Sequence, residues 1–85
     1  MKTGICGSLE SNDCLITVQE SDTFEIVIDS IVYDFFADQI KKVIVETLNE
    51  HNIVHIKVFC NDKGALDYTI KSRLETAIMR MRKYQ

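Results

Sequence analysis

The sequence predicts an α+β domain: a two-layer sandwich in the order ββαβα, with a small, mostly antiparallel sheet and two helices on one face. Three observations lead there. Three short stretches alternate apolar and polar residues, two longer stretches repeat apolar residues at steps of three and four, and nothing in the composition supplies a linker. Zero prolines and three glycines in 85 residues leave no flexible or low-complexity tract. A chain of this size hides roughly 60% of its unfolded surface, enough for one core.

The first strand is predicted over residues 13–19, where Cys14, Ile16 and Val18 share a face, and the second over residues 23–28, with Phe24, Ile26 and Ile28. The polar residues 19–22 between them fit a turn, so the two strands are expected to form an antiparallel hairpin. In the third strand Val54, Ile56, Val58 and Cys60 alternate with His55, Lys57 and Phe59, the pattern of a sheet covered on one side. A helical crossover that returns this strand beside the first would give the strand order 2-1-3.

Val32, Phe36, Ile40, Val43, Ile44 and Leu48 mark an amphipathic helix, with Phe36 and Ile40 expected in the core. Asp29 or Ser30 is the expected N-cap, and residues 49–52 close the helix. After the third strand, Asn61-Asp62-Lys63-Gly64 reads as a turn in which Gly64 takes a positive φ. Ile70, Leu74, Ala77, Ile78 and Met81 form the buried stripe of a second helix, capped by Asp67. The whole of residues 1–85 is expected to be one domain, preceded within itself by a mobile N-terminal arm over about residues 1–12.

Charge is unevenly distributed. The net charge of −3 is the balance of −7 over residues 1–70 and +4 over residues 71–85. Arg80, Arg82 and Lys83 fall where cations complement the negative end of a helix dipole. An acidic body without an aromatic-rich RNA-reading motif argues against nucleic acid as a partner. No apolar run approaches the ~18 residues that span a bilayer, and the first residues lack the apolar stretch of a secretory signal, so a cytoplasmic protein without membrane contact is expected. Three cysteines, an odd number without metal-type spacing, argue against a disulfide framework. Cys14 and Cys60 are read as buried thiols, and Cys6 as exposed and incidental. Neither His51 nor His55 is tied to Cys6 by a local signature, which leaves no catalytic thiol.

One hydroxyl stands out. Leu9-Glu10-Ser11-Asn12-Asp13 sets a small polar segment just before the first strand, and points to Ser11 as an attachment point. Taken with Asp29-Ser30-Ile31-Val32, Glu46-Thr47-Leu48, the run Asp62-Lys63-Gly64-Ala65-Leu66-Asp67, and then Arg73 and Ala77, the chain resembles the citrate lyase acyl carrier protein, or gamma subunit, family along almost its whole length. Ordinary acyl carriers are helical bundles, and Gly7-Ser8-Leu9 only imitates their attachment tripeptide.

The resemblance implies that Ser11 is esterified through a phosphodiester to a phosphoribosyl-dephospho-coenzyme A prosthetic group. The family often has a second serine where this chain has Asn12. The arm's thiol would then carry acetyl and citryl thioesters. The alpha subunit, a CoA-transferase, would exchange acetyl for citryl; the beta subunit, a citryl lyase using a divalent metal, would release oxaloacetate and restore the acetyl thioester. The carrier would catalyse neither step, and a prosthetic-group transferase would install the arm. The resemblance makes Arg73 a cofactor-binding residue, through a phosphate, or a partner contact. Glu10 and Asp13 read as a solvated acidic loop, Gly64 as a turn former. Two other readings stand beside this one: the carrier subunit of a biotin-independent malonate decarboxylase, and a small α+β binding or regulatory module without a cofactor.

Overall fold

Alternation and helical period resolve into six elements in the computed structural model, which describes residues 1–83: β1 (Thr3–Gly7), β2 (Cys14–Gln19), β3 (Phe24–Ser30), α1 (Tyr33–Glu50), β4 (Ile56–Asp62) and α2 (Asp67–Lys83). The α+β class and the two helices on one face of the sheet stand as predicted. The element order gains a strand. Residues 3–7, expected within a mobile arm, form an edge strand antiparallel to β2, with Cys6 opposite Ile16.

Two glycines in five residues give β1 a poor strand signal, because glycine has no side chain to pack. Gly4 is nevertheless required: a Cβ built there would lie 1.9 Å from the Ala77 carbonyl oxygen and 2.6 Å from the Met81 nitrogen. Helix α2 therefore rests directly on the β1 backbone. Cys6, in the same strand, is buried and not exposed as expected.

The sheet order is β1-β2-β4-β3, mixed, with β1–β2 and β2–β4 antiparallel and β3–β4 parallel. This corrects both the hairpin and the 2-1-3 order. Strand β4 inserts between the two strands expected to pair. A four-residue connection, residues 20–23, can form a hairpin turn, but it can equally step over one intervening strand, a gap of about 10 Å between strands ~4.8 Å apart. The α1 crossover supplies the connection that a parallel pair needs.

Register lines up the core. Val18, Val58 and Ile26 form one cross-strand row, and Cys6, Ile16, Cys60 and Ile28 the next. Over these rows α2 packs on β1 and β2, and α1 on β3 and against α2. Ile40, Val43, Ile44 and Leu48 from α1 meet Ile70, Leu74, Ala77, Ile78 and Met81 from α2 in a single buried cluster. Each large aliphatic side chain so buried contributes about 1.5–3 kcal/mol relative to exposure.

The ends of the helices differ in part from expectation. Phe36 is 52% exposed, because the apolar stripe of α1 runs on past the edge of the sheet. Neither Asp29 nor Ser30 caps α1: Val32 occupies the N-cap without a side-chain hydrogen bond, and Ser30 belongs to β3. Asp67 opens α2 but does not cap it; the amides of Thr69 and Ile70 bond to the Leu66 carbonyl. The close of α1 is as predicted. Asn52 adopts φ 57°, and the Ile53 amide bonds back to the Leu48 carbonyl at 3.0 Å, which ends the helix and buries Ile53. No helix among the described residues is long and apolar enough to cross a membrane.

Candidate functional site

Strand β1 leaves the sheet at Gly7, whose φ of 107° and whose closeness to the Cys14 carbonyl oxygen, 1.8 Å from a built Cβ, admit no side chain. The chain then folds back over Ser8 to Asp13 into β2. The Asp13 amide donates to the Glu10 carbonyl at 3.2 Å, making a turn with Ser11 and Asn12 at its centre. Asn12 takes the positive φ (66°) that the third position of such a turn demands, a conformation asparagine tolerates better than most residues. Ser11 is exposed at the tip, and its hydroxyl makes no hydrogen bond among the described residues.

Below the tip, hydrogen bonds converge on the Asp13 carboxylate. The Asp13 carboxylate accepts from the Ser8 hydroxyl at 2.7 Å, the Cys14 amide at 2.7 Å, and Arg73 Nε and Nη2 at 3.0 and 3.1 Å. The paired Arg73 bonds have the fork geometry that makes such contacts strong. Arg73 first, and then the Ser8 hydroxyl, hold the Asp13 carboxyl down at about 2, against a smaller opposing effect of burial. The Ser8 oxygen also accepts from the Glu10 amide at 3.2 Å.

The second turn locks onto the first. The Asn12 amide donates to the Lys63 carbonyl at 2.8 Å and the Lys63 amide to the Asp13 carbonyl at 2.9 Å, extending the β2–β4 ladder beyond the ends of the strands. Asp62, buried between Cys14 and Ser30, organises this neighbour: its carboxylate accepts from the Ser30 hydroxyl at 2.8 Å, the Gly64 amide at 3.2 Å and the Ala65 amide at 2.9 Å. Gly64 takes the predicted positive φ, at 93°. The two segments that the sequence singled out, 9–13 and 62–67, are thus adjacent.

Of the predicted site residues, Ser11 lies at the tip of the turn, and Arg73, on α2, reaches the base of the turn through Asp13. Two working residues escaped the sequence reading. Asp13 was read as a solvated flank, although its arginine lies 60 positions away; Asp62 was read only as part of a turn, although an aspartate two residues before a glycine is the signal of a side chain that bonds the following amides. The cysteines offer no competing chemistry. Cys14 and Cys60 are buried as expected, and the hydrogen bond between their thiols, with burial, pushes the Cys60 thiol up.

A family model described as Malonate decarboxylase delta subunit matches residues 1–81. The citrate lyase acyl carrier protein of Treponema denticola is 46% identical over 79 residues, covering 93% of this chain and 91% of that protein. The Streptococcus mutans protein of the same name is 46% identical over 81 residues, covering 93% and 79%. The chain belongs to the citrate lyase acyl carrier protein family. Acyl carrier proteins of this family bear a prosthetic group, and they act as carrier subunits and not as enzymes in their own right. The fold is also found in a crystal structure of a Pseudomonas malonate decarboxylase hetero-tetramer in complex with malonate, with a TM-score of 0.77 at 16% identity, over 94% of this chain and 84% of that one.

Proposed function

We propose that this chain is the acyl carrier subunit of citrate lyase, with Ser11 the residue that bears a phosphoribosyl-dephospho-coenzyme A group, and that it works in the cytoplasm with the alpha CoA-transferase and beta citryl lyase subunits. The observation that carries the reading is the exposed Ser11 hydroxyl at the tip of a turn whose base is fixed by Asp13, Arg73 and Lys63. The residues suit such a group because the tip is open and the hydroxyl is not already engaged. When bound, the group supplies a thiol for carrying acyl chains.

The chain's own part is presentation. Forming the phosphodiester joins Ser11 Oγ to a phosphorus of an activated donor of the group, whose phosphoanhydride bond breaks and whose terminal phosphate portion leaves. A base takes the hydroxyl proton; without one, serine is a weak nucleophile. Among the described residues no side chain is hydrogen-bonded to the Ser11 hydroxyl, and on this reading the prosthetic-group transferase supplies the base. Arg73 serves the site through Asp13, holding the base of the turn. Tethering then turns delivery of the acyl group into an effectively intramolecular event at each partner.

Coexpression with the citrate lyase prosthetic-group transferase, followed by intact-mass measurement, tests this directly. Wild type gains the mass of the group and Ser11→Ala gains none. Loss in Ser8→Ala with retention in Ser11→Ala would move the site and refute the assignment. The family model's description and the likeness to a malonate decarboxylase chain favour a second reading, the malonate decarboxylase carrier. It predicts that the loaded protein restores malonate decarboxylation, and not citrate cleavage, to catalytic subunits lacking their carrier.

A further inference from the structure

The apolar stripe of α1 that overshoots the sheet ends at the same edge of the molecule as Ser11. Phe35 is 85% exposed, Ile31 66% and Phe36 52%, and Leu66 at the start of α2 is exposed beside them. Hydrogen bonds make the region continuous: the Ile31 amide donates to the Asp62 carbonyl, Lys63 is bonded to Asn12 and Asp13, and Gln39 Nε2, one turn beyond Phe35 and Phe36, donates to Asp67 Oδ2 at 2.7 Å. Past the last register row, Asp13, Lys63 and Ile31 lie side by side, so the Ile31 backbone is two strand spacings, about 10 Å, from Asp13. Two phenylalanines left this open on a small domain mark a contact surface.

Charge narrows the occupant. Residues 29–38 hold Asp29, Asp34 and Asp38 and no Lys or Arg; toward the turn, Asp13 is neutralised by Arg73, Asp62 is buried under three hydrogen bonds, and Glu10 and Lys63 balance each other. The patch is therefore apolar with an acidic rim. A catalytic pocket that admits an arm bearing several phosphates needs cations around its entrance, since phosphates are held by Lys and Arg. We infer that the surface formed by Ile31, Phe35, Phe36 and Leu66, rimmed by Asp34 and Asp38, seats on the basic entrance of the catalytic subunits and aims the Ser11 turn into it. This inference rests on the carrier reading above, and takes it further by naming the contact.

The test uses the Ser11→Ala protein, so that attachment plays no part, and measures its binding to the purified alpha–beta citrate lyase complex stripped of carrier. Adding Phe35→Ser and Phe36→Ser weakens binding at least tenfold with circular dichroism and melting temperature unchanged. Asp34→Lys with Asp38→Lys does the same, and abolishes the weakening by salt that complementary charges impose. Phe59→Ser, on the open face of the sheet, leaves binding unchanged. Equal binding by the phenylalanine variants overturns the inference, as does loss on Phe59→Ser alone. So does a dimer of the Ser11→Ala protein that Phe35→Ser dissolves, since a second copy would then be the occupant. Intact mass of the Ser11 protein after coexpression is read separately: its failure would defeat the carrier reading whatever the docking result.

Discussion

The two connections that leave β2, one at each end, are built differently. At the N-terminal end, residues 8–13 converge on the Asp13 carboxylate and are zipped to Lys63. At the other end, residues 20–23 have an exposed hydrogen bond between the Ser21 and Thr23 hydroxyls, one from the Thr23 amide to Ser21, a Glu20 amide bond to the Lys2 carbonyl and a long Lys2–Glu20 ion pair at 3.8 Å. Both are short stretches joining strands, yet only the first is tied at its base to a helix and to a second turn, with the proposed attachment serine at its tip. The difference teaches that the rigidity here is not a property of turns but is supplied from outside the turn, by α2 and β4. Among the described residues, the Ser11 hydroxyl at the tip makes no hydrogen bond.

The contrast breaks most severely at the carboxylate. Asp13→Ala leaves the Ser8 hydroxyl, the Cys14 amide and the Arg73 fork without their acceptor, and hydrogen bonds to a charged group contribute about 1.5–3 kcal/mol. We expect a loss of about 2–3 kcal/mol, or some 10–20 °C in the melting temperature of a domain this size. Asp22→Ala, in the other connection, stays within about 0.5 kcal/mol. Thermal melts of the two variants check it, and equal shifts would show that the Asp13 network does not fix the turn.

That network marks the boundary of what the sequence discloses. The helical stripes were legible because Ile40, Val43, Ile44 and Leu48, and likewise Ile70, Leu74, Ala77 and Ile78, bury at the spacing their period dictates. Strand β1 was not, because Gly4 and Gly7 are chosen for what approaches their backbone and carry no strand preference; with β1 unseen, Cys6 had no core to enter. Strand order was illegible for another reason: Phe24, Ile26 and Ile28 alternate identically whether β2 or β4 lies beside them. Phe36 fitted the core period, but period says nothing about where the sheet beneath a helix ends. At the site, the sequence singled out segments 9–13 and 62–67, which the fold brings together, whereas the link from Asp13 to Arg73 is a product of the tertiary fold.

Acidity sharpens the comparison with a smaller effect. Because the folded Asp13 carboxyl titrates near 2, below its ordinary 3.8, its contribution to stability is fully present above about pH 4 and is lost as the pH falls from there toward 2. Urea denaturation of wild type and Asp13→Asn at pH 6, 4, 3 and 2 should show a gap between them that is constant down to pH 4 and then closes. A gap that persists unchanged to pH 2 would mean that the carboxylate's charge is not what holds the turn.

The smallest expected effect lies at the connector. Glu20→Gln removes the charge from an ion pair whose two side chains are both substantially exposed, and such pairs contribute about 0–1 kcal/mol. The variant should melt within a degree or two of wild type, with any difference vanishing in high salt, and should accept the prosthetic group as wild type does. A clear loss of attachment in Glu20→Gln would mean that the far end of β2 also determines how Ser11 is presented. The support of the turn would then run the length of the strand instead of coming from Arg73 and Lys63 alone.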